Sequence, residues 1–214
     1  MTTIKALLFD FDGTLLDTND LIIQTFMHVL GERFPGQYSP KDCLKFMGPS
    51  LRQTFTELTP GEEDEMIAKY RAWNEAHHDE LIKEFPDVVS TLEQLKEMGI
   101  ALAIVSTKRN DLIDRGLEMM GVSHLFDIRI GVHDVKNVKP DPEPVLLALE
   151  RLGVEKDEAI MIGDNSHDIE AAHNAGVKAA AVAWSAKGEE YLWQFKPDYM
   201  LHHMTDLLSI VKEG

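Results

Sequence analysis

Residues Leu7 to Leu16 read LLFDFDGTLL, an apolar run broken by two aspartates one residue apart and followed at once by glycine and threonine. A short apolar run of this kind suits a buried strand. In an extended chain, side chains at i and i+2 project to the same side, so Asp10 and Asp12 can face one substrate together. Two carboxylates that close in an apolar setting do not both ionise readily, and a cation beside one of them splits their protonation behaviour. The split yields one nucleophile and one proton carrier. Asp-Gly after a strand also makes an ordinary turn. A calcium loop does not fit, because the places that need glycine and a bidentate glutamate, counted from Asp10, hold Leu15 and Leu21.

Downstream of this stretch the periodicity is helical. Leu21, Ile22, Thr25, Phe26, Val29 and Leu30 predict a helix over 19–34, with Asp17, Thr18 and Asn19 as possible caps and Pro35-Gly36 as its end. Ser39-Pro40 opens a short helix that Gly48-Pro49 closes. Another starts near Leu51 and breaks at Pro60-Gly61, and the acidic turn Glu62 to Glu65 begins a long one through Met66, Tyr70, Trp73 and His77. Nothing from about residue 18 to 80 reads as a strand, so residues 17–81 are expected to form an all-helical insert.

From Pro86 onward the pattern alternates. Helices over 88–98, 110–121, 189–195 and 205–212 interleave with strands over 100–105, 126–130, 159–162, 178–184 and 198–201. Asp141 can cap a helix whose first residue is Pro142, and another helix runs from the Gly163-Asp164 region to Gly176. Short apolar strands alternating with helices imply an α/β fold with a parallel sheet covered on both faces, formed by residues 1–16 and 82–214. Ligands of such sheets sit beyond the carboxyl ends of the strands, where Asp10, Ser106 and Asp164 fall.

Composition narrows the function. The chain has 214 residues, and 21 Lys and Arg against 37 Asp and Glu leave a formal charge of −16, which argues against nucleic acid or an anionic membrane as partner. An anionic substrate would need a local cationic pocket or a metal. With Cys43 as its one cysteine the chain can form no internal disulfide, the opening apolar run is too short for a signal peptide, and no stretch is long enough for a membrane span. A cytoplasmic protein, monomer or homodimer, is expected.

The remaining polar interruptions suggest chemistry. In Gly163-Asp164-Asn165-Ser166-His167-Asp168, the two carboxylates would share a face if a helix begins there; they also read as a pair of caps. With Asp10 and Asp12 they make a hard-oxygen set suited to Mg²⁺. Ser106-Thr107 can bind a phosphate oxygen or simply cap a helix, and Lys139 in its proline-stiffened loop is either a ligand or a solvated lysine. The pairs His77-His78 and His202-His203 read as solvated positions, because adjacent residues on a helix point about 100° apart.

Taken in order, DFDGT at 10–14, the apolar strand ending in Ser106, Lys139-Pro140, and GDNSHD at 163–168 resemble the motifs of the haloacid dehalogenase-like hydrolase superfamily, over essentially the whole chain. The resemblance implies a Rossmann-like core with a helical cap domain inserted after the first motif. It implies that Asp10 is the nucleophile that forms an aspartyl-phosphate, and that Asp12 protonates the leaving group and then activates water. Ser106 and Lys139 would hold the transferring phosphoryl group, with Gly13, Thr14, Thr107 and Lys108 of the same motifs near the substrate. Mg²⁺ would be held by Asp10, the main-chain carbonyl of Asp12, and Asp164, with Asp168 orienting water or Lys139 from behind. Dehalogenases lack an acid at the place of Asp12, so its presence favours phosphate chemistry.

Substrate choice is expected of the insert, where Ser50 and Arg52 in GPSLRQTF at 48–55 could clamp a second anionic group or merely begin a helix. That stretch, with DTNDLI at 17–22, NEAHHDEL at 74–81 and VSTK at 105–108, resembles an inorganic pyrophosphatase subgroup of the superfamily. Phosphoglycolate phosphatases are its near neighbours. A sugar phosphomutase and a non-catalytic binding protein are the other readings.

Overall fold

The computed structural model describes residues 3–213. The opening strand β1 (Ala6–Phe9) is buried at every position, as a strand covered on both faces must be. The chain then passes through β2 (Leu16–Asp17), α1 (Asn19–Arg33), α2 (Pro40–Cys43), α3 (Leu51–Leu58), α4 (Glu63–Leu81) and β3 (Lys83–Glu84). Alternation follows: α5 (Val88–Glu97), β4 (Ala101–Val105), α6 (Asn110–Met119), β5 (Ile128–Ile130), α7 (Glu143–Leu152), β6 (Ala159–Gly163), α8 (Ser166–Ala175), β7 (Lys178–Val182), α9 (Glu189–Trp193), β8 (Tyr199–Leu201) and α10 (Asp206–Glu213).

Six of the strands form one parallel sheet in the order β5-β4-β1-β6-β7-β8, while β2 and β3 pair separately. This is the parallel α/β arrangement that the alternating pattern predicts, and the Rossmann-like core that the resemblance implies. One face of the sheet presents Leu8, Ala103, Val105 and Met161 to Val145 and Leu149 of α7 and Ile169 and Ala172 of α8. The opposite-facing Leu7, Phe9, Ile104, Ile160 and Ile162 are also fully buried.

The chain divides into two compact units, one built from the residues up to Leu16 and from Glu84 onward, the other from Asp17–Lys83. The second unit is helical and closes on its own core, in which Phe26 meets Phe46, Phe55 and Tyr70 with ring centroids 4.8–6.0 Å apart. Its helices start where the capping signals stand. Ser39 and Ser50 both form capping boxes, with Asp42 and Gln53 respectively, and Asp17 Oδ1 accepts from the Asn19 N–H at 3.1 Å. No helix among the described residues is long and apolar enough to cross a membrane.

Four local expectations need correction. The strand predicted from Phe126 starts at Ile128, because a single 3-10 turn over Ser123–Leu125 precedes it and the Phe126 ring packs edge-on against Phe9 at 6.3 Å. Asp141 Oδ1 accepts from the Glu143 N–H at 2.9 Å, so Pro142 occupies the cap and α7 begins one residue late. The short β2-β3 pair was too brief to leave a pattern. His78 is not solvated: it continues the buried row Met66, Tyr70, Asn74 of α4 and is fully buried, its Nδ1 lying 2.9 Å from Asp79 Oδ1.

Candidate active site

Parallel register places the site. Phe9 stands level with Ile104 on one side and Ile162 on the other, so the chain leaves β1, β4 and β6 along one edge at Asp10, Ser106 and Asp164. The Asp10 N–H donates to Ile162 O at 2.8 Å and the Ser106 N–H to Ile130 O at 2.9 Å, which carries the sheet's hydrogen bonding one residue past the strands. Asp10 and Ser106 are therefore tied by their backbones to the neighbouring strands.

Lys139 reaches into this edge from the loop before α7, with 3% of its side chain exposed. Its ammonium donates to Val105 O at 2.8 Å and to Asp168 Oδ1 at 2.6 Å, and lies 3.1 Å from Asp10 Oδ1. Burial would lower the lysine's pKa, but Asp10 and Asp168 more than offset it and hold the ammonium charged. Asp10 Oδ1 also accepts from the Phe11 N–H at 2.7 Å, so both donors fall on one oxygen and Oδ2 keeps no protein donor among the described residues.

Asp164 and Asp168 would share a helical face only if the helix began at Asp164. In fact α8 begins at Ser166 with Asn165 as its cap, and Asp164 lies outside the helix. The two carboxylates still converge, because Asp168 turns back to accept the Asn165 N–H at 3.0 Å. Ligand oxygens of Asp10, Asp164 and Asp168 lie within 4.8 Å of one another. Two glycines make the approach possible. A Cβ on Gly163 would collide with the Asp168 side chain, and one on Gly13, at φ 76°, would come within 2.8 Å of the Asp164 carboxyl carbon.

Burial pushes the Asp10 carboxyl up to about 6, with Lys139 pulling it back and Asp168 and Asp12 adding to it. Burial raises Asp164 well above the usual carboxylate range, helped by Asp168 and Asp10. Three crowded carboxylates around one ammonium leave the cluster short of positive charge. All-oxygen donors in that number suit a hard divalent cation such as Mg²⁺.

Asp12 turns to a different lysine, its Oδ1 lying 2.7 Å from Lys108 Nζ. Ser106, buried, accepts from the Lys108 N–H at 3.3 Å, Thr107 beside it is partly exposed, and Thr14 is buried with no hydrogen-bond partner for its hydroxyl among the described residues. Asp10, Asp12, Ser106, Lys108, Lys139, Asp164 and Asp168 thus belong to one unit, whereas Ser50 and Arg52 belong to the other. There Ser50 caps α3, and Arg52 pairs with Asp64 at 2.5 Å.

Residues 7–182 match the family model for haloacid dehalogenase-like hydrolases. The chain belongs to that family. It is accordingly an enzyme of a hydrolase family. It is 50% identical over 207 residues to "Pyrophosphatase PpaX" of Bacillus velezensis, covering 97% of this chain and 96% of that one. Among solved structures, a Bacteroides fragilis protein provisionally assigned as a haloacid dehalogenase-like hydrolase superposes with a TM-score of 0.89 at 30% identity, covering 95% of this chain and 99% of that chain. A Lactobacillus plantarum protein provisionally assigned as a phosphoglycolate phosphatase gives 0.88 at 28% identity, covering 98% and 100%.

The loop after β7, which carries no motif of its own, also meets the site. Ser185 Oγ donates to Asp164 O at 2.7 Å, and Lys187 Nζ lies 3.2 Å from Asn165 Oδ1. Burial lowers the Lys187 pKa, against the pull of Asp164 and Asp168. The rule that singles out Ser106, a polar residue just past an apolar strand, applies equally to Ser185.

Proposed function

We propose that this enzyme is a Mg²⁺-dependent phosphohydrolase that works through an aspartyl-phosphate, with inorganic pyrophosphate as substrate. The observation that carries the reaction type is the buried Lys139 ammonium spanning Asp10 and Asp168 at the edge of β1 and β4. The substrate rests on the likeness to pyrophosphatases named PpaX along nearly the full chain.

Asp10 Oδ2, the oxygen without a protein donor, attacks phosphorus, and the bond to the leaving oxygen breaks. Lys139 shifts from Asp10 toward the phosphoryl oxygens as their charge develops, held in line by Val105 O and Asp168. Ser106 donates its hydroxyl to the same group. Asp12 gives a proton to a leaving oxygen that needs one, then takes a proton from the water that opens the aspartyl-phosphate. A divalent cation, held by Asp10, Asp164 and the main-chain carbonyl of Asp12, would neutralise phosphoryl charge. Residues 17–83 are assigned the selection of substrate, with Arg52 the candidate for a second anionic group.

The test is phosphate release from pyrophosphate, 2-phosphoglycolate and 4-nitrophenyl phosphate, each with and without Mg²⁺. Release fastest from pyrophosphate and dependent on Mg²⁺ is expected. Preference for phosphoglycolate would move the substrate to the near neighbour, and release from none would remove the phosphohydrolase reading. Conversion of glucose 1-phosphate to its isomer without net phosphate release would instead show a mutase.

A further inference from the structure

The two lysines beside the aspartate pair use their donors unequally. An ammonium has three N–H donors, and those of Lys139 go to Val105 O, Asp168 Oδ1 and Asp10 Oδ1. Lys108 makes one such contact, with Asp12 Oδ1, and its Nζ stands 5.5 Å from the Phe11 ring centroid. Only 9% of its side chain is exposed, and no second protein acceptor reaches its ammonium among the described residues. A nearly buried ammonium is costly unless acceptors meet its remaining donors.

The backbone fixes where those donors are. The Lys108 N–H donates to Ser106 Oγ at 3.3 Å, and Lys108 O accepts from the Val132 N–H at 3.0 Å. The Asn110 amide and the Gly131 N–H both donate to Asp134 Oδ2 at 2.8 Å, which ties the start of α6 to the loop after β5. Lys108 is therefore held on the Asp12 side of the aspartate pair, as Lys139 is held on the Asp10 side.

We propose that Lys108 binds the leaving phosphoryl group of a phosphoanhydride and thereby favours such a substrate over a simple ester, apart from any choice made by residues 17–83. The inference rests on the phosphohydrolase reading of Asp10 and Asp12. If Asp10 marks the phosphorus under attack, Asp12 marks the leaving oxygen, and a cation 2.7 Å from Asp12 Oδ1 lies beside the group that departs. As Asp10 Oδ2 bonds to phosphorus, the bond from that phosphorus to the bridging oxygen breaks. Its electron pair stays on the bridging oxygen, which leaves as part of inorganic phosphate and keeps any proton the substrate carried. The added negative charge falls next to the spare donors of Lys108. An ester with an uncharged alcohol brings no second set of phosphoryl oxygens to that place.

Binding measurements separate this from the turnover reading. Methylenediphosphonate, which carries two phosphoryl groups, and inorganic phosphate are titrated calorimetrically into the full chain with Mg²⁺ present, for the wild type, Lys108→Met and Lys108→Arg. Removing one partner of a nearly buried charged contact is expected to weaken diphosphonate binding by about 30-fold or more in Lys108→Met, with phosphate changed by less than about threefold. Lys108→Arg, which keeps the charge and the loop, is expected to retain most of the diphosphonate preference. Equal weakening of both ligands, unchanged diphosphonate binding in Lys108→Met, or loss of the preference in a folded Lys108→Arg would overturn the proposal. A wild type that binds diphosphonate through Lys108 yet releases no phosphate from pyrophosphate would retire the reaction and leave this site standing.

Discussion

Asp10 and Asp12 are two residues apart and are held by different partners, Asp10 by Lys139 and the Phe11 N–H, Asp12 by Lys108. Their removal should therefore have different effects. Asp10→Asn is expected to abolish phosphate release while the far-ultraviolet spectrum and melting remain those of a folded chain. Asp12→Asn is expected to lower kcat by about 10²–10⁴-fold, the usual span for a lost proton carrier. Both are read by steady-state kinetics on pyrophosphate. Ser185→Ala leaves the buried Asp164 carbonyl without the hydroxyl that now donates to it at 2.7 Å. A loss of about 1–3 kcal/mol in unfolding free energy is expected, together with weaker Mg²⁺ binding by calorimetry. Unchanged Mg²⁺ affinity would show that Asp164 is positioned without Ser185.

At the scale of elements, legibility followed the strength of local signals. The boundaries in the helical unit could be read because Pro35-Gly36, Gly48-Pro49 and Pro60-Gly61 each break a clear period, and Ser39 and Ser50 stand where caps are needed. Strands β1, β4 and β6 could be read because strands buried at all or nearly all positions have no polar residues to confuse the pattern. The geometry of Asp164 and Asp168 could not, because spacing alone does not say which residue of GDNSHD ends the strand and which caps the helix. Nor could the burial of His78, since one histidine on a mixed helix face gives no sign of which neighbours cover it. For the caps, Ser50→Ala is expected to cost about 1 kcal/mol in the melting of the helical unit. Arg52→Ala, which breaks an exposed pair with Asp64, should cost less than about 1 kcal/mol. If Arg52 reads substrate identity, its loss raises KM unevenly across the substrate panel, and a uniform change would exclude that role.

For the molecule as a whole, a formal charge of −16 and an anionic substrate are reconciled by where the few cations stand. Lys108, Lys139 and Lys187 each contact the loops that follow β1 or β6, so three of the chain's cations stand among the carboxylates of the edge that carries the chemistry, and a divalent cation there would complete the balance an anionic substrate needs. The carboxylates there set a pH dependence. Burial first, then Asp168 and Asp12, raise Asp10 to about 6 against the pull of Lys139, and Asp164 is raised in the same direction. A carboxyl with a folded pKa above its unfolded value of about 4 binds its proton more tightly when folded, so this stabilising contribution is lost as pH rises through the folded pKa. A divalent cation competes with those protons. Mg²⁺ is therefore expected to raise the melting temperature little near pH 5 and clearly more near about pH 7.5, as measured by calorimetric melts. An equal rise at both values would show that the ion does not bind at Asp10 and Asp164.

The pairing of β2 with β3 has a consequence for how such a chain can change. The excursion of Asp17–Lys83 departs and returns through neighbouring strands two residues long, so its length is decoupled from the register of the six-stranded sheet. A module attached in that manner can be swapped for one of different size while the reacting groups keep their coordinates. New specificities can then arise by exchange of that one segment, with the chemistry inherited intact.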